Sequence, residues 1–539
     1  MTARLPSLVS RSFASSPLAN AAFRHFYIGS IGAALGYTMQ ATISAWLMAT
    51  LTTSALMVAL VQSASTAPTL LFGLFAGTLA DIVDRRRVIL VTQVVLFAAT
   101  LLLGASALAG IVGPVSLLFL TFAVGAGFTF YLPAQQASIN ELVSRADLSR
   151  AVALGSVAFN VARAVGPAAA GALAAAMSSG ATLVLGAFFF VPMFVAMRRA
   201  PLREAPLPGV PERLISGVMI GLRFVRHSAS MRAFVVRNLV FSVCASAFWA
   251  LLPVIARDQL GLGAGGFGLL SAFFGIGAII GAVSIPRLLS RQPMNTIVTQ
   301  GGILWACAIL IVALTGQIAL ALLGAFCAGM AWVYVFATLS AGTQSSAPGW
   351  VRARAVSMNI VTTQGCLAIG SAVWGAIANG VGTHWALGVS AVLVAALQWI
   401  YRRVRVEMGE EADVVPGARL PELVIASEPS PDDGPVLIQL EYRIDPANRE
   451  AFLKAIQKVG PTRRRNGATS WRVFRDLGEE GRFVERYVIA SWAEYVRLRA
   501  RMTMADSQLQ QQAAALQRPG VPIRVSRLIG VTDTGLPVA

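Results

Sequence analysis

The sequence predicts an all-α polytopic membrane protein: a 12-helix array in two six-helix halves, followed by a soluble α+β domain with ferredoxin-like element order. Three observations carry this reading. Apolar runs are long enough to cross a bilayer, arginines are confined to alternate connections, and composition returns to ordinary after Arg405.

The apolar runs set the number of spans. Of 539 residues, 56% are hydrophobic and 13% charged, against about 25% charged in soluble domains. The apolar excess lies between Phe23 and Arg403. A bilayer core takes about 20 apolar residues per helix, so this region holds many spans. Divided at polar breaks, it gives twelve, near residues 25–50, 55–80, 88–109, 115–138, 152–176, 181–197, 233–256, 265–289, 296–314, 317–341, 355–380 and 384–401. The first run is too long, and lacks the small-residue cleavage site, to read as a cleavable signal peptide.

The arginines set the orientation. Arg85 to Arg87, Arg145 with Arg150, the cluster from Arg198 to Arg237, Arg287 with Arg291, Arg352 with Arg354, and Arg402 to Arg405 fall on alternate connections; Arg257 alone falls on the others. Short arginine-rich loops stay cytoplasmic, which places both termini inside. Residues 1–405 hold 25 arginines, no lysine and seven acids, and so carry the whole formal charge of +18. Nucleic-acid binding calls for a basic face on a soluble domain. The soluble part here is balanced, so membrane lipids are the expected charged partner and nucleic acid is not.

The chain then divides into an N-terminal half at 1–199, a cytoplasmic linker at 200–232, a C-terminal half at 233–405, a second linker at 406–435 and a soluble domain at 436–539. In the first linker, Leu214, Val218, Leu222 and Val225 interleave with Arg213, Arg223 and Arg226, the pattern of an interfacial helix. A shift of 204 residues lays Arg150-Ala151-Val152 on Arg354-Ala355-Val356, Gly166 on Gly370, Gly171 on Gly375 and Gly77 on Gly281. A shared offset across several spans implies a parallel duplication.

In the soluble domain, strand-like runs at 436–443, 470–475, 482–490 and 521–529 alternate with helical runs at 446–465 and 492–516, a βαββαβ order. It holds neither His nor Cys. The four cysteines, Cys244, Cys307, Cys327 and Cys366, are scattered through apolar segments, whereas metal sites cluster their ligands. Neither a metal nor a cofactor is expected, and no catalytic residue is assigned.

Few residues inside the spans bear chemistry. Arg163 follows Arg150 by 13 positions, about 20 Å at helical rise, which puts it near the bilayer centre. A charge there costs about 2.5–3.5 kcal/mol or more unless it faces a partner or cavity. Arg163 reads either as a packing clamp bonded to carbonyls and Asn160, or as a cavity residue that meets an anionic or polar substrate. All seven acids of residues 1–405 map to connections or span ends, with Asp81 and Glu141 nearest the spans. Gln40, Gln135, Asn238 and Gln344 are polar side chains within spans, each either an interhelical bond or a cavity contact.

The connection after span two reads Gly77-Thr-Leu-Ala-Asp81-Ile-Val-Asp84-Arg85-Arg86-Arg87. It resembles the loop signature of the major facilitator superfamily. Asp84, Pro133-Ala134, Glu141-Leu142-Val143 and the run Asn160 to Pro167 resemble its enterobactin-exporter-like branch, also called transmembrane secretion effectors. Gly166-Pro167-Ala-Ala-Ala-Gly171 resembles the fifth-span motif of exporters, where proline removes a helix hydrogen bond and glycine admits a neighbouring helix. The resemblance implies the major facilitator fold, a gating role for the Gly77–Arg87 loop, and export of a siderophore or drug-like molecule across the bacterial inner membrane. For the tail it implies a monooxygenase-type α+β barrel with a docking or dimerisation role. The alternatives are import of a small solute, and a membrane-tethered enzyme or regulator acting through the tail.

Overall fold

Each expected span forms a helix, and several begin at a capping side chain or a proline. The computed structural model describes residues 17–144, 147–199, 214–417 and 429–530. In the first half, α1 (Ala21–Leu51) is capped by Asn20, α2 (Ala55–Ile82) by Ser54, and α3 (Arg85–Leu108) by Asp84. Then come α4 (Pro114–Leu142), which starts on a proline, α5 (Leu148–Ala176), and α6 (Ser179–Arg199), capped by Ser178. A short helix, α7 (Leu214–His227), follows the first half. The second half holds α8 (Ala229–Val254), α9 (Ala264–Leu289), α10 (Met294–Leu314), α11 (Ile318–Ser346), α12 (Arg352–Val381) and α13 (Thr383–Ile400). At the end of α8 the chain widens into a π turn over Ile255–Gln259.

Among the described residues, eleven helices are long and apolar enough to cross a membrane. The first expected span is not one of them. It forms the 31-residue helix α1, but Tyr37, Thr38, Gln40, Thr42 and Ser44 dilute its apolarity.

The chain splits into two compact units. One contains most of the membrane helices. The other joins Ile215–Val235 and Ser340–Asn359 to the chain from Arg405 onward. Within the first unit, close helix contacts are made through small residues. In α5, a Cβ on Gly166 would lie 2.1 Å from Thr38 Oγ1, and one on Gly171 would lie 2.7 Å from the Cα of Gly268 in α9. Gly370 of α12, 204 residues on, makes a similar contact one turn away from the expected partner Ser242: a Cβ there would lie 2.3 Å from Ser246 Oγ of α8. Gly375 of α12 packs in turn on Ala59 of α2. Lipid supplies no hydrophobic drive between helices, so such close backbone approaches provide the packing energy. Gly77 does not follow the pattern. Its counterpart Gly281 meets Met330 at 3.1 Å, yet nothing lies within 4 Å of a Cβ on Gly77.

In the second unit, the tail folds around a four-stranded antiparallel sheet of order β2-β3-β1-β4, with β1 (Val436–Arg443), β2 (Ser470–Arg475), β3 (Arg482–Ile489) and β4 (Arg524–Ile529). Strand alternation turns Val436, Ile438 and Tyr442 of β1 inward, and likewise Phe483, Tyr487 and Ile489 of β3. A one-turn helix, α14 (Glu411–Val414), precedes the sheet, and α15 (Arg449–Asn466) follows β1. The last helical run divides into α16 (Trp492–Arg501) and α17 (Met504–Ala514). It breaks because Thr503 takes an extended backbone and starts a new capping box with Asp506.

Candidate functional site

Arg163 stands half-buried in the middle of α5. Tyr37 of α1 is the titratable side chain that interacts with it electrostatically. Among the described residues, its guanidinium has no carboxylate or hydrogen-bond partner. The clamp to Asn160 does not form: Asn160 is exposed and donates Nδ2 to the Ser156 carbonyl at 2.8 Å.

Tyr37 stacks on Phe128 of α4 with ring centres 3.9 Å apart, and Phe128 also adjoins Tyr131 and Phe159. Gln135 of α4, 9% exposed, donates to Ser30 Oγ of α1 at 3.1 Å. Gln40 donates to Ser44 at 2.9 Å, while its Oε1 is buried without a partner. Thus α1, α4 and α5 bring Tyr37, Gln135 and Arg163 into one half. In the other half, Asn238 of α8 donates to Thr363 Oγ1 of α12 at 2.9 Å and accepts from Ser242. That makes Asn238 an interhelical bond. Gln344 is exposed and reaches Ser340 on its own helix at 3.3 Å.

At the arginine-rich end of the first half, Asp84 accepts from the Arg86 amide at 2.9 Å, and Arg87 lies 3.8 Å from its other oxygen. Arg85 forms an ion pair with Glu141, tying α3 to α4, and Arg86 donates to the Arg198 carbonyl of α6 at 2.7 Å. Exposed pairs of this kind contribute about 0–1 kcal/mol each, so they fix the loop's position rather than the fold. The side chain of Asp81 lies outside the described residues, as do Arg145, Glu204, Glu212 and Arg213. Gly77 makes no close helix approach: nothing lies within 4 Å of a Cβ there.

The exporter-type segment sits at a helix crossing. Pro167 interrupts the bonding of α5, and its carbonyl lies 2.8 Å from where a Cβ on Gly268 would stand. Gly171 and Gly268 then bring α5 and α9 into backbone contact. Two hydrogen bonds join the halves on the same arginine-poor side. Arg257 donates to the Thr52 carbonyl at 2.8 Å, and Ser54 donates to Asn379 at 3.2 Å. Nearer the middle, Ser63 of α2 donates to the Ala368 carbonyl of α12 at 2.6 Å.

Sequence reading missed Arg237. It was grouped with the loop cluster from Arg198, but it lies well inside α8 and is fully buried. Its guanidinium reaches the Tyr401 carbonyl at 2.8 Å, Thr299 Oγ1 at 2.8 Å and Asn295 Oδ1 at 3.4 Å. The signal was present: Arg237 is flanked by Phe234, Val235, Val236, Leu239 and Val240.

Known proteins agree with this architecture. Residues 12–534 match the transmembrane secretion effector family. The staphyloferrin A transporter of Staphylococcus aureus is 24% identical over 269 residues, 49% of this chain and 67% of that protein. The multidrug efflux pump Tap of Mycolicibacterium fortuitum is 26% identical over 395 residues, 69% of this chain and 93% of that protein. Among solved structures, the nucleoside transporter NupG superposes with a TM-score of 0.60 at 13% identity, covering 71% of this chain and 99% of its own. A bacterial homolog of the human lysosomal transporter Spinster, in an inward-facing and unoccupied conformation, gives 0.59 at 14% identity, covering 72% and 98%. At these identities the structural likeness concerns the fold.

Proposed function

The chain belongs to the transmembrane secretion effector family of the major facilitator superfamily, a multi-pass secondary transporter and not an enzyme, and on that premise we propose that it exports a small organic molecule, siderophore-like or drug-like, by alternating access. The observation that carries this reading is the exporter-type segment Gly166-Pro167 to Gly171, lying where α5 meets α9. Two relatives bear on the substrate class: one is named for a siderophore and one for multidrug efflux.

We read the arginine-rich side as cytoplasmic and the membrane as the bacterial inner one. Contacts across the halves include Arg257 to Thr52, Gly171 to Gly268 and Ser63 to Ala368, and they continue past the middle of α2 and α12, where a Cβ on Gly365 would lie 2.8 Å from Leu70 and one on Gly73 3.3 Å from Val361. Toward the arginine-rich end, nothing lies within 4 Å of a Cβ on Gly77. Arg163 is the substrate-contacting or gating residue, Tyr37 and Gln135 accompany it, and Asp84 to Arg87 hold the inner loop. Gln40, Asn160 and Gln344 stand as lesser cavity candidates. The four described acids of the membrane part, Asp84, Glu141, Asp147 and Asp258, sit at helix ends, so the substrate brings its own counter-charge to Arg163.

Expression in a bacterial strain stripped of its own exporters tests the direction. Lower intracellular accumulation of at least one compound in a panel of siderophores and amphipathic drugs is expected. Unchanged accumulation across the panel rejects export, and raised accumulation favours import.

A further inference from the structure

The second compact unit ties the tail to two pieces of the membrane part. Ile215–Val235 holds α7 and the first turns of α8; Ser340–Asn359 holds the last turns of α11, a turn, and the first turns of α12. The tie is made by specific side chains. Arg223 of α7 donates Nη1 to the Gly467 carbonyl at 3.0 Å, and Gly467, at φ +138°, is the residue that ends α15. The Arg465 guanidinium lies over the ring of Phe224 at 5.8 Å, and that of Arg501 over Trp350 at 4.8 Å. Both are cation–π distances. Phe224 and Trp350 meet edge to face at 5.7 Å, so the four groups form one stack.

The tail holds its arginines ready for this. Arg465 is paired with the buried Asp506, and Arg501 with Glu494 at 3.0 Å. Phe224 is only 1% exposed. Where the chain leaves the membrane, Gly409 lies against Ser346 at the end of α11; a Cβ there would stand 2.5 Å from the Ser346 Cα. His227 closes the cluster. Burial first, then Arg464, Arg226, Arg223 and Arg232, holds its imidazole below the usual range, so it adds no charge of its own near neutral pH.

A domain hanging on a loose linker would leave Phe224 and Trp350 uncovered. Here instead the helix between the halves and the turn between α11 and α12 are bound to one soluble body. In alternating access, the inner ends of the spans exchange partners. Contacts made in one state and not the other shift the balance between them.

We propose that the C-terminal domain is a built-in brake on transport, gripping α7 and the α11–α12 turn through Arg223, Phe224, Trp350, Arg465 and Arg501, and that this grip must loosen for the inner ends to move. The proposal rests on the alternating-access reading, but its test needs no substrate.

In the full-length chain, with Cys244, Cys307, Cys327 and Cys366 replaced by serine, Ser63→Cys reports separation of α2 from α12 through its rate of maleimide labelling. Amide-exchange protection of residues 463–471 and 494–502 reports the grip. Trp350→Ala should lower that protection and raise the labelling rate several-fold. Arg223→Gln should act in the same direction more weakly, and Trp350→Phe should keep wild-type behaviour. Protection that survives Trp350→Ala overturns the grip. Lost protection with unchanged or slower labelling overturns the brake. If Trp350→Ala does not insert, the same two criteria apply to Arg223→Gln. Failure of export would appear in flux, not in these rates.

Discussion

A guanidinium inside a membrane helix needs something to offset its charge, and the two arginines buried here are offset differently. Arg237 is enclosed by the carbonyl of Tyr401, the hydroxyl of Thr299 and the amide oxygen of Asn295. Removing it would lose these bonds to a charged group, each worth about 1.5–3 kcal/mol, so Arg237→Ala is expected to lower the melting temperature. Arg163 is half-buried, and among the described titratable groups Tyr37 is the one that interacts with it. If Arg163 meets the transported compound, as proposed, Arg163→Ala should insert and melt like the wild type yet lose flux. Wild-type flux in that variant would remove Arg163 from the pathway. The two arginines were not equally legible. Arg163 stood out because its distance from Arg150 put it mid-bilayer, whereas Arg237 was hidden in a run of neighbouring loop arginines. The tail hid Glu485 in a similar way. It occupies an inward position of β3 among Phe483, Tyr487 and Ile489, fully buried, where it accepts from Arg463 at 3.0 Å, Trp471 at 2.9 Å and Tyr442 at 3.1 Å. Strand alternation marks the position as inward, but only the fold shows the three donors that make a buried carboxylate tolerable.

At the scale of elements, helix positions were readable because span length is set by bilayer thickness and the ends by caps. Crossings were less so. A glycine in a sequence permits close approach without saying whether a helix takes it up. Gly171 does meet a helix: a side chain there would strike the Gly268 Cα at 2.7 Å and the Ala264 carbonyl at 2.8 Å. Both are backbone atoms and cannot rotate away. Gly171→Val should therefore force α5 and α9 apart on the arginine-poor side and abolish transport. The matching change at Gly77, where a Cβ meets nothing within 4 Å, should leave this conformation intact. Labelling of Ser63→Cys compares the two: equal rates in both variants would deny the α5–α9 contact its place in the closure. The break between α16 and α17 escaped reading because apolar periodicity continues through Thr503, and the capping box that stops the helix depends on Asp506 being buried.

At the scale of the whole molecule, the charge excess and the composition break divide the chain at one place: apolar spans carrying the arginine excess up to Arg405, and a charge-balanced segment after it. Gly166 and Gly370 are 204 residues apart, but their partners Thr38 and Ser246 are 208 apart, so the offset that relates α5 to α12 does not carry over to the residues they meet. The same offset fails between Gly77 and Gly281. The tail's attachment to α7 and to the α11–α12 turn was not legible, since it depends on residues more than a hundred positions apart. Export by alternating access is tested most directly in energised inverted membrane vesicles, whose arginine-rich face is outward on the orientation read here. Saturable accumulation of a siderophore or drug-like compound inside those vesicles, lost in Arg163→Ala, is the predicted result. Accumulation confined to right-side-out vesicles, or none above protein-free controls in either orientation, would contradict it.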